Sequence, residues 1–136
     1  MGSDIRDIAL SDRTGKVSFY IDKHRSGFSG LRKHRKRDDL VTKVEVQCDS
    51  LDNILDPDRQ VDFIKIDVEG GELAILRGAA NTLSKYHPLL LFECCRSGLS
   101  AFGFTSKQAF EFLTQHSYSI YLLKDFFADG KALSFE

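Results

Sequence analysis

Apolar side chains recur at strand spacing in three parts of the chain. Val44, Val46 and Cys48 are separated by polar residues, which is the period of a half-buried β-strand. Residues 61–68 are mainly apolar and β-branched, and residues 89–92 form a second continuous apolar run. Unbroken apolar runs of this length predict interior strands of a parallel sheet.

Shorter patterns predict structure at the two ends of the chain. Residues 8–10 and 17–21 favour strands, and the turn-forming sequence between them predicts a β-hairpin. Residues 22–39 show no apolar period and predict an exposed loop. Residues 118–123 predict a last strand.

Between the strands, the apolar residues follow a helical period. Ser50 is placed to cap a short helix. A longer helix is predicted from Glu72, with Leu73, Leu76, Ala80 and Leu83 on one face and a local break at Gly78. A capping-box pattern opens a further helix over 105–116. Strands alternating with helices predict an α/β fold with a mostly parallel sheet.

The length and the net charge of the chain limit the number of domains and the kinds of partner. The 136 residues suffice for a single domain, 1–136. The formal net charge of -1 favours neither nucleic acid nor a membrane surface as a partner. No apolar run approaches the roughly 20 residues that cross a bilayer. The basic run 32–37 lacks interleaved aromatic residues, and we interpret it as part of a solvated loop.

The cysteine pattern indicates neither a disulfide framework nor a zinc site. The chain has three cysteines, Cys48, Cys94 and Cys95, and the last two are adjacent. We interpret them as thiols in the core of a cytoplasmic protein, where the compartment is reducing.

Acidic residues follow both predicted interior strands. Asp67 and Glu69 follow the first strand, Glu93 follows the second, and Glu72 lies at the start of a helix. The carboxyl ends of parallel strands form the ligand crevice of α/β sheets, so these acids are expected to meet there. Because like charges repel, such a cluster indicates cation binding or proton transfer. Glu72 has an alternative explanation, since an acid at a helix start is favourable by itself.

Two specific sites can be compared with this pattern. Asp67, Glu69 and Glu93 are hard oxygen ligands suited to Mg²⁺ or Mn²⁺. Residues 67–71 resemble the motif of haloacid-dehalogenase-type phosphatases, but Glu69 and Gly71 depart from it. A phosphate-binding glycine loop is excluded at Gly70, because flanking glutamates would repel the phosphate.

A longer pattern is more specific. Residues 64–73, continuing through 75–79, resemble the signature block of the FkbM family of methyltransferases. The segments 8–19, 44–52 and 88–93 resemble that family's flanking elements in the same order. The resemblance implies a partial Rossmann-like class I methyltransferase sheet with an N-terminal β-hairpin and an antiparallel last strand.

The resemblance also implies a reaction. It is methyl transfer from S-adenosylmethionine to a hydroxyl of a sugar or other small metabolite, with Asp67 beside the transferred methyl group. Four phenylalanines could line the acceptor pocket: Phe102, Phe104, Phe126 and Phe127. Packing in the core or in a dimer interface is the stronger expectation for them. The resemblance also implies catalytic roles for Glu69 and Glu93. It implies that Asp67, Val68 and Glu69 contact the cofactor, and that Lys65 and Glu72 lie in the substrate pocket. It implies no bound metal.

Two elements of the resembled family are missing from the sequence. No strand ends in the glycine turn that cradles the cofactor's methionine part, and none ends in an acid for its ribose. We therefore expect a truncated domain that by itself binds S-adenosylmethionine weakly or not at all. Without those strands the sheet should either rearrange into a contiguous one or form a homodimer through exposed edges. The alternative function is a non-catalytic module for self-association or partner binding.

Overall fold

The structure is a computed structural model that describes residues 4–24, 27, 29–31, 40–128 and 130–135. The strands are Ala9–Leu10 (β1), Gly15–Asp22 (β2), Val41–Asp49 (β3), Phe63–Ile66 (β4) and Leu89–Phe92 (β5). The helices are Leu51–Ile54 (α1), Glu72–Arg77 (α2), Ala80–Tyr86 (α3), Arg96–Ala101 (α4), Ser106–Gln115 (α5) and Leu123–Phe126 (α6). This is a mixed α/β arrangement, as the alternation of strands and helices predicts.

The first sheet has the order β1-β3-β2. β1 runs parallel to β3, with Ala9 opposite Cys48, and β2 runs antiparallel to β3 from Gly15 to Asp22. The predicted hairpin between residues 8–10 and 17–21 is therefore wrong, because β3 lies between these two strands. The nine-residue β3 has two edges, and β1 and β2 each pair with one of them instead of pairing with each other through the turn.

The second sheet contains β4 and β5, paired in parallel. The connection between them passes through α2 and α3, as expected for parallel strands. The prediction of two fully interior strands is wrong, since among the described residues each strand pairs on one side only. Phe63 and Leu89 lie opposite each other and are 51% and 53% exposed. The two sheets also remain separate, so the expected contiguous rearrangement is not observed.

Three of the four residues on the predicted face of the long helix lie in the core, and the fourth, Ala80, is half-buried. Leu73, Leu76 and Leu83 are fully buried. Gly78 ends α2, which confirms the predicted break, and a Cβ atom there would lie 2.0 Å from the Ser11 carbonyl oxygen. The first core cluster contains Ile66, Ile75, Leu76, Ala79, Leu83 and Leu113. The second contains Leu73, Leu99 and Ala109.

Both predicted helix caps are confirmed. The Ser50 hydroxyl accepts a hydrogen bond from the Asn53 amide at 3.2 Å, at the start of α1. At the start of α5, Thr105 and Gln108 form the capping box, with the Gln108 side chain accepting from the Thr105 amide at 2.9 Å.

The predicted strand over 118–123 is not formed. Residues 118–122 lie outside the strands, and Leu123 begins α6. Tyr118 and Ile120 still pack against the core, and the Ile120 carbonyl accepts from the Leu133 amide at 2.7 Å. The apolar residues of this segment therefore pack against the core, but the segment does not form the hydrogen bonds of a strand. The helices α4 and α6 were not predicted.

The exposed-loop prediction for 22–39 is partly wrong. β2 extends to Asp22, which is buried, and Gly30 exchanges two backbone hydrogen bonds with Tyr20 at 2.8 and 3.0 Å. The basic run 32–37 lies outside the described residues. No helix in the described part of the chain is long and apolar enough to cross a membrane.

Candidate functional site

The carboxyl ends of β4 and β5 lie at one edge of their sheet. Ile66 pairs with Phe92, so Asp67 and Glu93 each follow a paired residue at the same end. The Glu93 amide donates to the Ile66 carbonyl at 3.2 Å, which continues the pairing one step beyond the strands. This confirms the expected meeting of Asp67 and Glu93 at a common rim.

Asp67 is held by a lysine two residues earlier. The Lys65 ammonium donates to the Asp67 carboxylate at 2.9 Å, and both side chains are more than half exposed. The spacing places both side chains on one face of the strand end. An exposed ion pair of this kind contributes about 1 kcal/mol or less, so a ligand can displace it at small cost.

A tight turn follows Asp67 and Val68. Glu69 and Gly70 both have left-handed backbone conformations, with φ of 52° and 108°. Gly70 lies directly against Gly98 of α4, and a Cβ atom on Gly70 would be 2.2 Å from the Gly98 carbonyl carbon and oxygen. Only glycine fits this position, because the conformation and the close approach both exclude a side chain.

Glu72 lies behind this turn. Its side chain is 2% exposed, and its Oε1 accepts from the Gly70 amide at 2.9 Å. Within the described residues, its Oε2 has no hydrogen-bond partner. Glu72 was expected in the substrate pocket, but its side chain is buried inside the turn.

A cleft of about 640 Å³ lies between the two sheets. This volume is typical of pockets for small molecules. One wall comes from the first sheet, and the other comes from β4 and the residues after it. Lys65, Asp67 and Val68 line the cleft, together with Phe102. Glu69, Glu72 and Glu93 are not among its lining residues.

The other phenylalanines considered from the sequence lie elsewhere. Phe104 packs against the Leu73 cluster, with the Arg77 guanidinium 5.2 Å from its ring centre. Phe126 and Phe127 are exposed and contact each other edge to face. The sequence offered no signal for the role of Gly98, whose contact with Gly70 joins positions 28 residues apart.

All three cysteines are free, but only Cys48 is buried. The prediction of core thiols is therefore wrong for Cys94 and Cys95, which follow the end of β5. The Ser97 hydroxyl, 2.9 Å from the Cys95 sulfur, and the Gly98 and Ser97 amides hold the pKa of the Cys95 thiol below its usual range. Partial desolvation raises the pKa of Cys94, although much of that residue is exposed, and the Glu72 charge raises it further.

The acids at the rim are not arranged as a metal centre. In the part of the chain that the structure describes, no three His, Cys, Asp or Glu residues are placed so that they could hold a metal ion. The geometry therefore does not support the metal-dependent phosphatase alternative.

Comparison with known proteins assigns the family. The model of the Methyltransferase FkbM domain matches residues 3–120, which is most of the 136-residue chain. The chain belongs to the FkbM methyltransferase family. No curated protein and no solved structure matches it. The family match includes the signature strand β4, the turn after it and the helix that begins at Glu72.

Membership in the FkbM family gives the rim a chemical context. A methyltransferase needs a place where the methyl donor and the acceptor meet. The Asp67 end of β4 is the place where the signature block, the cleft and exposed carboxylates coincide.

Proposed function

We propose that this chain is an S-adenosylmethionine-dependent methyltransferase domain that methylates a hydroxyl oxygen of a sugar or another small metabolite. The family match supports methyl transfer. The observation that carries the proposal is the position of Asp67, which follows β4 at the rim and lines the cleft.

The residues present fit the methyl-donating end of the cofactor. S-adenosylmethionine supplies an electrophilic methyl group on a positively charged sulfur atom. The exposed Asp67 carboxylate complements that charge, and Val68 contributes an apolar wall beside it. The glycine turn and the ribose-binding acid expected of the family do not occur in these 136 residues. We therefore assign Asp67 and Val68 to the methyl end only.

In this proposal, the residues of the chain orient the acceptor, remove one proton and limit access of water. Asp67 would orient the acceptor hydroxyl and take its proton as the methyl group leaves the cofactor's sulfur and bonds to the hydroxyl oxygen. Lys65 keeps the Asp67 carboxylate at the strand end until the acceptor arrives. Glu69 and Glu93, which do not line the cleft, contribute negative charge at the sheet edge beside it, and the apolar cleft wall limits access of water.

Binding and transfer are tested separately. Calorimetric titration with S-adenosylmethionine and S-adenosylhomocysteine measures binding, and transfer of a labelled methyl group to a panel of sugars and small alcohols measures activity. Asp67→Asn should lower transfer by about 10²- to 10⁴-fold, the usual contribution of a general base. Asp62→Asn is the matched control, because Asp62 precedes β4 at the opposite end of the strand.

The outcomes separate a catalytic domain from a non-catalytic one. Saturable binding together with transfer that Asp67→Asn abolishes and Asp62→Asn preserves supports the proposal. Absence of binding at millimolar ligand, or equal losses in both variants, contradicts it.

Unpaired strand edges favour a second candidate function, a non-catalytic module that binds another copy of the chain. The Asp62 and Ile66 carbonyl groups accept hydrogen bonds from the Leu89 and Glu93 amides. In a parallel ladder, alternate residues face the same neighbour. The backbone groups of Phe63 and Lys65 therefore face away from β5, and within the described residues no strand pairs with β4 on that side.

Exposed apolar side chains strengthen this second candidate. Phe63, Leu89 and Leu91 lie on one face of the β4–β5 sheet, and all three are exposed. Parallel sheets are usually covered on both faces. Sedimentation velocity over a wide concentration range tests self-association. A monomer at every concentration contradicts this candidate, and a dimer that binds no cofactor favours it over the enzyme.

A further inference from the structure

The buried position of Glu72 is costly. Its side chain is 2% exposed, and Oε2 has no hydrogen-bond partner in the described part of the chain. A buried polar group without a partner is destabilising, and more so when it is charged. Residues with this kind of cost usually provide something that the fold or the site requires.

Helix capping does not account for this position. Glu72 is the first residue of α2, and the N-cap, Gly71, has no side chain to contribute. Among the described residues, no hydrogen bond joins the Glu72 carboxylate to an amide of the first helical turn. Its Oε1 instead turns back to the amide of Gly70, which precedes the helix. Attraction to the helix dipole is a small effect and does not require burial.

The Gly70 amide belongs to the part of the turn that most needs support. Glu69, with φ of 52°, is in a conformation that L-residues rarely adopt, and Gly70 follows with φ of 108°. The backbone of Gly70 also lies against Gly98 of α4. The bond from the Gly70 amide to Glu72 fixes this turn between Asp67 and α2.

We infer that Glu72 is a positioning residue, which holds the turn over 69–71 and so sets the direction in which Asp67 and Val68 enter the cleft. It does so without lining the cleft itself. The catalytic part of this inference rests on the proposed methyl-transfer function, whereas the structural part does not. Displacement of a reacting group by about 1 Å can cost 10²-fold in rate, so a buried bond behind the turn can control turnover.

Two substitutions and one control test the inference. Glu72→Ala removes the acceptor, whereas Glu72→Gln keeps a carbonyl oxygen at the same reach. The exchange rate of the Gly70 amide hydrogen, measured by NMR, should rise about 10- to 100-fold in Glu72→Ala, as expected when a buried donor is left without its acceptor. In Glu72→Gln it should stay close to that of the parent chain.

Leu113→Ala is the matched control for general destabilisation. Leu113 is 1% exposed and belongs to the core cluster that does not include Leu73. This variant should lose stability without a selective increase in exchange at Gly70. Under methyl-transfer conditions, Glu72→Ala should lower kcat and leave KM for the acceptor unchanged, and Glu72→Gln should restore most of kcat.

The outcomes distinguish the two proposals. Unchanged Gly70 exchange in Glu72→Ala, or equal changes in Glu72→Ala and Leu113→Ala, overturns the positioning role. Faster exchange in a chain that transfers no methyl group supports that role and contradicts the proposed function. If Glu72→Ala does not fold, Glu72→Asp replaces it. Its side chain is one methylene too short to reach the amide, so unchanged Gly70 exchange in that variant also overturns the inference.

Discussion

The two sheets are stabilised in different ways. β2 and β3 form an eight-pair ladder, but few of their side chains are fully buried. β4 and β5 share only four pairs, yet their helices bury Leu73, Leu76 and Leu83 completely. Backbone pairing dominates in the first sheet, and side-chain packing dominates in the second. The candidate acids follow the second sheet, where dense packing can hold a turn in an unfavourable conformation.

Contacts of α2 and α3 with the residues that follow β1 and β3 join the two regions. Gly78, between α2 and α3, leaves room for the Ser11 carbonyl of the first sheet. The Asp52 carboxylate of α1 accepts hydrogen bonds from the Thr82 amide and hydroxyl at 2.9 and 2.7 Å, and from the Asn81 amide at 2.9 Å. The hydrogen bonds to Asp52 tie the segment that follows β3 to the start of α3.

The largest contrast is expected from glycine substitutions. Gly15→Ala introduces a residue at φ of 130° with no atom within 4 Å of the new Cβ, and we expect a loss of about 1 kcal/mol. Gly70→Ala adds a collision with Gly98 to the same strain, and we expect about 3 kcal/mol or more. Urea unfolding with unchanged m-values measures both losses. Equal shifts in the two variants would contradict the description of the Gly70 turn as tightly packed.

Truncation of apolar side chains gives a smaller contrast. Leu73 is fully buried, and Leu73→Ala should cost about 3 kcal/mol. Val46 on β3 is half-buried, and Val46→Ala should cost about 1 kcal/mol. The free energies of unfolding of the two variants measure the difference. If Val46→Ala proves as costly as Leu73→Ala, the first sheet depends on a side-chain core as much as the second does.

The smallest effect concerns acid stability of the first sheet. Hydrogen bonds from the Asn53 and Thr14 side chains and the Ser50 amide hold the pKa of Asp49 below its ordinary value of 3.8. Because the folded-state pKa is the lower one, this stabilisation is present above the unfolded pKa and is lost as the pH falls through the folded pKa. Asp49→Asn should therefore make the urea midpoint less dependent on pH in the acid range.

An exposed aspartate provides the control for that measurement. Asp7→Asn should keep the acid dependence of the parent chain, since Asp7 is exposed and lies outside both sheets. An unchanged acid dependence in Asp49→Asn would show that the hydrogen bonds around Asp49 do not contribute to stability.

Local patterns in the sequence predicted the elements whose causes are local. The Ser50 cap, the capping box at Thr105 and the break at Gly78 depend on neighbouring residues, and all three are confirmed. The apolar runs 61–68 and 89–92 contain β4 and β5, and their parallel pairing brings Asp67 and Glu93 to one rim, as predicted. Family membership could also be inferred from the signature block alone.

Elements that depend on distant partners were predicted poorly. The partner of β1 and β2 is β3, which begins about 20 residues after β2 ends, so a local turn signal misled the hairpin prediction. Residues 118–122 have a strand-like composition but are not hydrogen-bonded into a sheet. Whether Cys94 and Cys95 are buried likewise depends on which distant residues pack against the end of β5, and this cannot be read from the local sequence.

The sequence by itself determined the chemistry of the rim: an acid after β4, an acid after β5 and a glycine turn between strand and helix. Tertiary structure alone decided which acids reach the cleft. Asp67 lines the cleft, and Glu72 is buried behind the turn, because Gly70 packs against Gly98 and leaves its amide directed at the Glu72 carboxylate. That contact joins the turn after β4 to helix α4, which lies far from it in the chain, and no local pattern specifies it.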